Sequence, residues 1–268
     1  NGSVVTFQNG EDSTALLIGF TITGGLATYG GGIRMDSVSS TLKHLVVTGN
    51  MANSYGGGIY LAKSNPNLEN VSIINNTSTN GGGIASWGIS YPNLADVTIM
   101  DNYASDNGGG IFSIQNCNPS LQNVTIAGNS SYWGAGIYLS DSSPSLQNVT
   151  ISNNNASDGG GGIHIIGSSY PNVLNCILWN NAPQELGTSG SEPNISYSAI
   201  QGGWDGNGNI DADPFFCNPD SGDYTLAENS PCVGTGENGA NMGAFGAGCD
   251  IQVDWDFSLS EPVIEVMG

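Results

Sequence analysis

The amino-acid sequence predicts an all-β solenoid, a parallel β-helix built from coils of about 25–27 residues. Three observations predict it. The tetrapeptide Gly30-Gly31-Gly32-Ile33 returns at Gly56, Gly81, Gly108, Gly134 (with Ala135 as its second residue) and Gly160, at spacings of 26, 25, 27, 26 and 26 residues. A fixed period in this range marks units that bury their apolar faces only by stacking on their neighbours. Between these marks a second run recurs, seen as Pro66-x-Leu68-x-Asn70-Val71-Ser72-Ile73-x-x-Asn76. It returns over 92–102, 119–129, 144–154 and 171–181, and without the proline over 42–50. Inside it, Val-Thr-Ile alternates with a period of two, the pattern of a strand with one buried face, and no window shows the 3.6-residue period of a helix.

Taken in order, residues 1–182 form the β-helix body. Ser3 to Phe7 is a strand, and Leu17 to Thr23 is a degenerate copy of the later runs. Nothing before Ser3 resembles a cap, and a bare β-helix end exposes unpaired backbone groups. The expectation is that further coils precede Asn1 or that something stacks there. From residue 30 the coils are regular. Ile33, Ile59, Ile84, Ile111, Ile137 and Ile163 point inward, followed two residues later by Met35, Leu61, Ser86, Ser113, Leu139 and Ile165. Pro66, Pro92, Pro119, Pro144 and Pro171 sit before strands, where a missing ladder donor is tolerated. At ~4.8 Å per coil the body makes a rod of roughly 40–50 Å.

Residues 183–249 lose the period and are expected to be an irregular segment that covers the end of the stack. Short strand candidates there are Ile195 to Ile200, Gly208 to Ile210, Tyr224 to Leu226 and Ala244-Phe245. Residues 250–268 read as an acidic, strand-like tail, with Ile251, Val253, Trp255 and Phe257 alternating and Pro262 to Val266 suited to pairing with an edge.

Two asparagine columns follow from aligning the coils. Asn50, Asn76, Asn102, Asn129, Asn154 and Asn181 form one, read as a structural ladder of amides bonded up the axis. Asn70, Asn123, Asn148 and Asn175 form the other, with His44 and Asp96 substituting. Both suit turns where backbone groups need partners. The glycines are not a phosphate cradle, because no helix and no Lys-Ser/Thr follows them. They mark a place where a side chain would obstruct the turn or the neighbouring coil.

Composition narrows the partners. Glycine supplies 41 of 268 residues, but it is periodic and interleaved with Val and Ile, so a disordered low-complexity chain is excluded. Three basic residues (Arg34, Lys43, Lys63) stand against 23 acidic ones, and 14 of those lie after residue 182. The net charge of −20 excludes nucleic acid as a natural partner and repels anionic membranes and polyuronates. No apolar run approaches the ~20 residues of a membrane span, so no membrane insertion is expected. A start at Asn1 reads as a processed or truncated chain. Cys217, Cys232 and Cys249 cluster late in the chain, compatible with one disulfide of open pairing and an extracellular setting.

Candidate sites are few. The residues after the six isoleucines are Arg34, Tyr60, Ala85, Phe112, Tyr138 and His164, turned outward by alternation. Tyr60, Phe112, Tyr138 and His164 form a candidate binding column able to stack on sugar rings or on another molecule. Side-by-side aromatics also stabilise a sheet surface by themselves. Asp205, Asn207, Asn209, Asp211 and Asp213 place oxygen ligands at alternate positions, as the start of a calcium loop does. Ile210 stands where that loop needs glycine, and a polar turn is the other reading. Asp106 and Asp158 share a column two coils apart, at ~10 Å, just beyond the range of a hydrolytic carboxyl pair. His44 and His164 have no nucleophile motif near them. No catalytic residue is assigned.

The pairing of Ile73-Ile74-Asn75-Asn76 with Gly81-Gly82-Gly83-Ile84 resembles the FxxN and GGA(I/L/V) motifs of polymorphic outer-membrane proteins. More broadly, the repeats over roughly 13–182 resemble extracellular right-handed parallel β-helix proteins. Asn209 to Phe216, Gly222 to Leu226, Ser230-Pro231-Cys232 and Met242 to Gly246 are similar to the closing region of many bacterial cell-surface β-helix proteins. The resemblance implies right-handed winding, a pectin-lyase-like fold and an extracellular or cell-surface location. It implies no single activity, since the fold carries lyases, hydrolases, adhesins and inert rods. Lyases on this fold use a Lys or Arg base beside carboxylate-bound calcium, and no acidic column flanks Arg34. The expected function is an extracellular structural or adhesive β-helix that self-associates end to end or laterally. The alternative is a polysaccharide lyase, a glycoside hydrolase or a glycan-binding module.

Overall fold

The computed structural model describes residues 1–252. Short strands wind into three eight-stranded parallel sheets and one six-stranded parallel sheet, one strand of each per coil. The first sheet runs from Val5–Phe7 through Ile33–Asp36, Ile59–Ala62, Ile84–Trp87, Ile111–Ile114, Ile137–Ser140 and Ile163–Ile166 to Leu186–Ser189. The second runs from Leu16–Ile18 to Asn194–Ser196, the third from Thr21–Thr23 to Ala199–Ile200, and the fourth from Leu26–Tyr29 to Asn155–Asp158. This is a parallel β-helix.

Register follows the repeat residue for residue. Ile33 pairs with Ile59, Ile59 with Ile84 and Ile84 with Ile111, so identical side chains stack up the axis. A slip of one residue would turn every one of them to solvent, which is why the pattern fixes the register. Leu42, Leu68, Leu94, Leu121 and Leu146 fill the core from the second sheet, and Val47, Ile73, Ile99, Ile126 and Ile151 from the third, all buried. Ser86 and Ser113 occupy two inward positions of the first sheet, and their hydroxyls find no partner.

The corners are held by left-handed residues and by buried polar files. His44, Asn70, Asp96, Asn123, Asn148 and Asn175 take φ of 50–55° between the second and third sheets, a conformation asparagine tolerates better than most residues. Asn50, Asn76, Asn102, Asn129, Asn154 and Asn181 are buried between the third and fourth. From Asn76 onward each Oδ1 accepts the backbone N–H and the side-chain amide of the asparagine one coil earlier, as Asn102 does from Asn76 at 3.0 Å in both bonds, while Asn50 Oδ1 accepts from Gly25 N. The amide's second proton goes to a backbone carbonyl, for Asn102 that of Ile73 at 2.9 Å. Every donor and acceptor in the file is used, so the buried polarity costs little.

A second buried file runs through Ser64, Ser90, Cys117, Ser142, Ser169 and Ser191. Val38 N donates to Ser64 Oγ at 3.2 Å, Ser64 N to Ser90 Oγ at 3.1 Å, and Ser142 N to Ser169 Oγ at 3.0 Å. Its signal lies two residues before each proline, just upstream of the run that marks the repeat.

Beyond residue 182 the stack first continues before the chain becomes irregular. Leu186–Ser189, Asn194–Ser196 and Ala199–Ile200 add one more strand to each of the three long sheets. Trp204 then packs against the core, Asn209 Oδ1 accepts the N–H of Ser198 at 3.1 Å, and Ile210 bridges Ala199. These residues close the end. From Phe216 the chain does not lie over the end at all but turns back along the outside of the third sheet. A three-stranded sheet of Phe216–Asn218, Asp223–Ala227 and Ala247–Cys249 buries Phe216, Tyr224, Leu226 and Met242 against Ala127, Ile177 and Ala199. The physical reason is the outer face itself, which is apolar in the late coils. Ala244 N bonds Thr150 Oγ1 at 2.9 Å and Tyr224 accepts from Asn153 Nδ2 at 3.0 Å. Cys217 and Cys249 form a disulfide within this sheet, and Cys232 is buried and free. Of the tail assigned to 250–268, residues 253–268 lie outside the described residues.

Candidate functional site

The fourth sheet hands the chain to the first through a left-handed glycine, at Gly30, Gly56, Gly81, Gly108, Gly134 and Gly159. Before that glycine stand Tyr29, Tyr55, Asn80, Asn107, Trp133 and Asp158, and beyond it Arg34, Tyr60, Ala85, Phe112, Tyr138 and His164. The glycine lets these two files meet. A Cβ on Gly108 would lie 2.8 Å from the Cβ of Phe112, and one on Gly134 would lie 2.9 Å from that of Tyr138.

The result is one aromatic corner along the axis. Tyr29 stacks on Tyr55 with centroids 6.0 Å apart and lies 5.2 Å from Tyr60. Tyr55 reaches Phe112 at 5.7 Å, and Phe112, Tyr138 and His164 stack at 5.4 and 5.7 Å. Trp133 adds a face to His164, and Trp87 an edge to Tyr55. The predicted members Tyr60, Phe112, Tyr138 and His164 thus lie together, except that Phe112 is only 5% exposed. Tyr29, Tyr55 and Trp133 were missed because they belong to another strand. Their signal was an aromatic residue directly before the glycine.

The chemistry of the corner is mostly that of uncharged rings. Burial raises the pKa of Tyr60 and Tyr138, the latter helped by the charge of Asp106. Burial lowers that of His164 while Asp158 pulls the other way, and Gly160 N donates to His164 Nδ1 at 3.2 Å. Stacked rings cover one another's faces between coils and present their edges outward. One concave place is a pocket of about 320 Å³ bounded by Tyr29, Tyr55, Tyr60, Trp87, Arg34 and Asp36.

Of the predicted oxygen ligands, Asp205, Asn209 and Asp211 line one pocket at Gly202–Trp204, while several of their polar atoms are already engaged. Asn207 Nδ2 bonds the Tyr197 hydroxyl, and Asn209 bonds Ser198, Ile195 and Trp204. Asp211 accepts from Gly202 N and Asp213 from Phe215 N. Among the described residues no three carboxylate, imidazole or thiol groups come close enough to share an ion. Lys43 pairs with Glu69 on the second sheet and Arg34 with Asp36 on the first. Asp106 and Asp158 border Tyr138 and His164 respectively rather than one another's site.

A family model described as the right handed beta helix region matches residues 31–196. The chain belongs to the right-handed β-helix family. That match spans the coils from the first triple glycine to the last strand of the second sheet, so it rests on the repeat itself. No curated protein and no solved structure matches the chain. Membership in the β-helix family therefore assigns the winding and leaves activity to be argued from the corner.

Proposed function

We propose that this β-helix is an extracellular structural protein with an adhesive role, and that the aromatic corner is its adhesive face. The observation that carries the reading is the run of rings in mutual contact over most of the body, with Asp36, Asp106 and Asp158 beside it. A long, narrow, half-buried surface of ring edges and carboxylates suits an extended polymer laid along the axis, and polysaccharide is the polymer whose C–H faces and hydroxyls match it. The buried asparagine file gives that surface a stiff support. The Cys217–Cys249 disulfide supports a setting outside the reducing cytosol.

The test is retention of the protein on insoluble polysaccharides and cell-wall preparations, with double-bond absorbance and reducing ends read in the same samples. Retention without turnover, weakened by Tyr138→Ala, is the expected result. A protein that passes through every matrix unretained overturns the reading, and turnover would replace it with a carbohydrate-active enzyme.

A further inference from the structure

Along the first sheet, Asp36, Ala62 and Trp87 stand in one file, in register from coil to coil. Ala62 is the small member. Its methyl leaves a gap between Asp36 and Trp87, which lie two coils apart, roughly 10 Å by strand spacing. Tyr29, Tyr55 and Tyr60 wall the gap on the side of the corner, and Arg34 completes the lining.

We propose that the gap over Ala62 is a subsite for one neutral pyranose ring, an inference that rests on the adhesive reading above and names its ligand. The polar groups are unfinished in a way that fits hydroxyls. Arg34 Nη2 lies 3.5 Å from Asp36 Oδ2, too long for a strong charge-assisted bond, and the Arg34 side chain is 38% exposed, so its Nη donors stay open to a ligand. Asp36 receives one donor, Ser37 Oγ at 3.1 Å. A guanidinium in need of acceptors beside a carboxylate in need of donors is met by adjacent hydroxyls, each of which does both. The indole of Trp87 and the tyrosine rings supply apolar surface for the C–H face of the sugar. The Asp36 carboxylate beside Arg34 and the chain's net charge of −20 disfavour a carboxylated or sulfated ring. A proline-rich peptide also docks on aromatic grooves, but its prolines lack N–H groups, so it offers Asp36 fewer donors than a sugar's adjacent hydroxyls.

The experiment uses the full chain and ligand-observed NMR with a neutral methyl hexoside, the matching uronate and a proline-rich peptide. Ala62→Phe fills the gap from a surface position outside both buried files, and circular dichroism checks that each variant is folded. The neutral glycoside is expected to bind in the millimolar range, with affinity falling about tenfold or more in Ala62→Phe and in Trp87→Ala. Unchanged binding in both variants, preference for the uronate or the peptide, or no glycoside binding at all overturns the subsite. The two proposals fail separately. If wild type and Ala62→Phe are retained equally on polysaccharide, the adhesive face stands without the subsite. If wild type is not retained anywhere, the adhesive reading falls whatever the glycoside does.

Discussion

The carboxylate of Glu185 stands where a seventh asparagine of the buried file would stand. Its two oxygens accept the backbone N–H of Asn181, at 3.0 Å, and the Asn181 side-chain amide. A file of amides, each donating to the next, needs a final acceptor, and a carboxylate has the two oxygens to take both donors. Glu185 is 7% exposed, and burial pushes its carboxyl from 4.5 up to about 7 against the pull of Asn181's hydrogen bonds.

A raised carboxyl pKa stabilises the fold when the group is protonated. Glu185 therefore contributes fully below about pH 4.5, and the contribution fades as pH rises through about 7. The upper bound is about 3 kcal/mol. Thermal melts of wild type and Glu185→Gln between pH 4 and 8 are expected to diverge, the glutamine variant gaining relative stability toward pH 8. Parallel curves would remove Glu185 as the source.

Asn102 sits mid-file. Asn102→Ala takes their acceptor from the Asn76 N–H and from one proton of its side-chain amide, and removes a donor from the Ile73 carbonyl, all buried. The expected cost is about 2–5 kcal/mol in urea titrations. A cost below about 1 kcal/mol would mean that water enters and replaces the amide.

At Gly109 a Cβ would lie 2.6 Å from the Ser130 carbonyl oxygen and 2.7 Å from that of Ala135, both backbone atoms of the next coil. Gly109→Val is expected to lose about 3 kcal/mol or more. An unchanged melting temperature would show that neighbouring coils give way around the added side chain.

The disulfide closes a separation of 32 residues in the sheet lying on the side of the rod. Replacing Cys217 and Cys249 by serine is expected to cost about 3–4 kcal/mol on loop entropy. Hydrogen exchange locates the loss: the amides of Leu226 and Ala244 are expected to speed up, while those of Asn76 and Asn102 in the file stay protected. Equal loss everywhere would mean that the side sheet and the rod unfold as one.

Much of this molecule is written in its period. The isoleucines, the prolines and the buried asparagines each repeat at a spacing that only stacked coils explain, and aligning the copies is enough to sort inward from outward residues. The serine file is equally periodic, two residues ahead of each proline that opens the second run. Half of the aromatic corner was visible for the same reason, as the residue after each isoleucine. The other half, Tyr29, Tyr55 and Trp133, lies in a different strand and meets the first half only because glycine brings the two files together.

The sequence by itself determined the parallel β-helix, its register and the residues of its core, because a two-residue alternation repeated coil after coil admits one arrangement that buries every isoleucine. Only the tertiary structure decided where the unrepeated part goes. Phe216, Tyr224, Leu226 and Met242 show no period, so nothing in their spacing says which surface they cover. They settle on the side of the third sheet because Ala127, Ile177 and Ala199 offer apolar area there, and that match exists only once the coils are stacked. The gap over Ala62 has the same origin, three residues from three coils made neighbours by the stack alone.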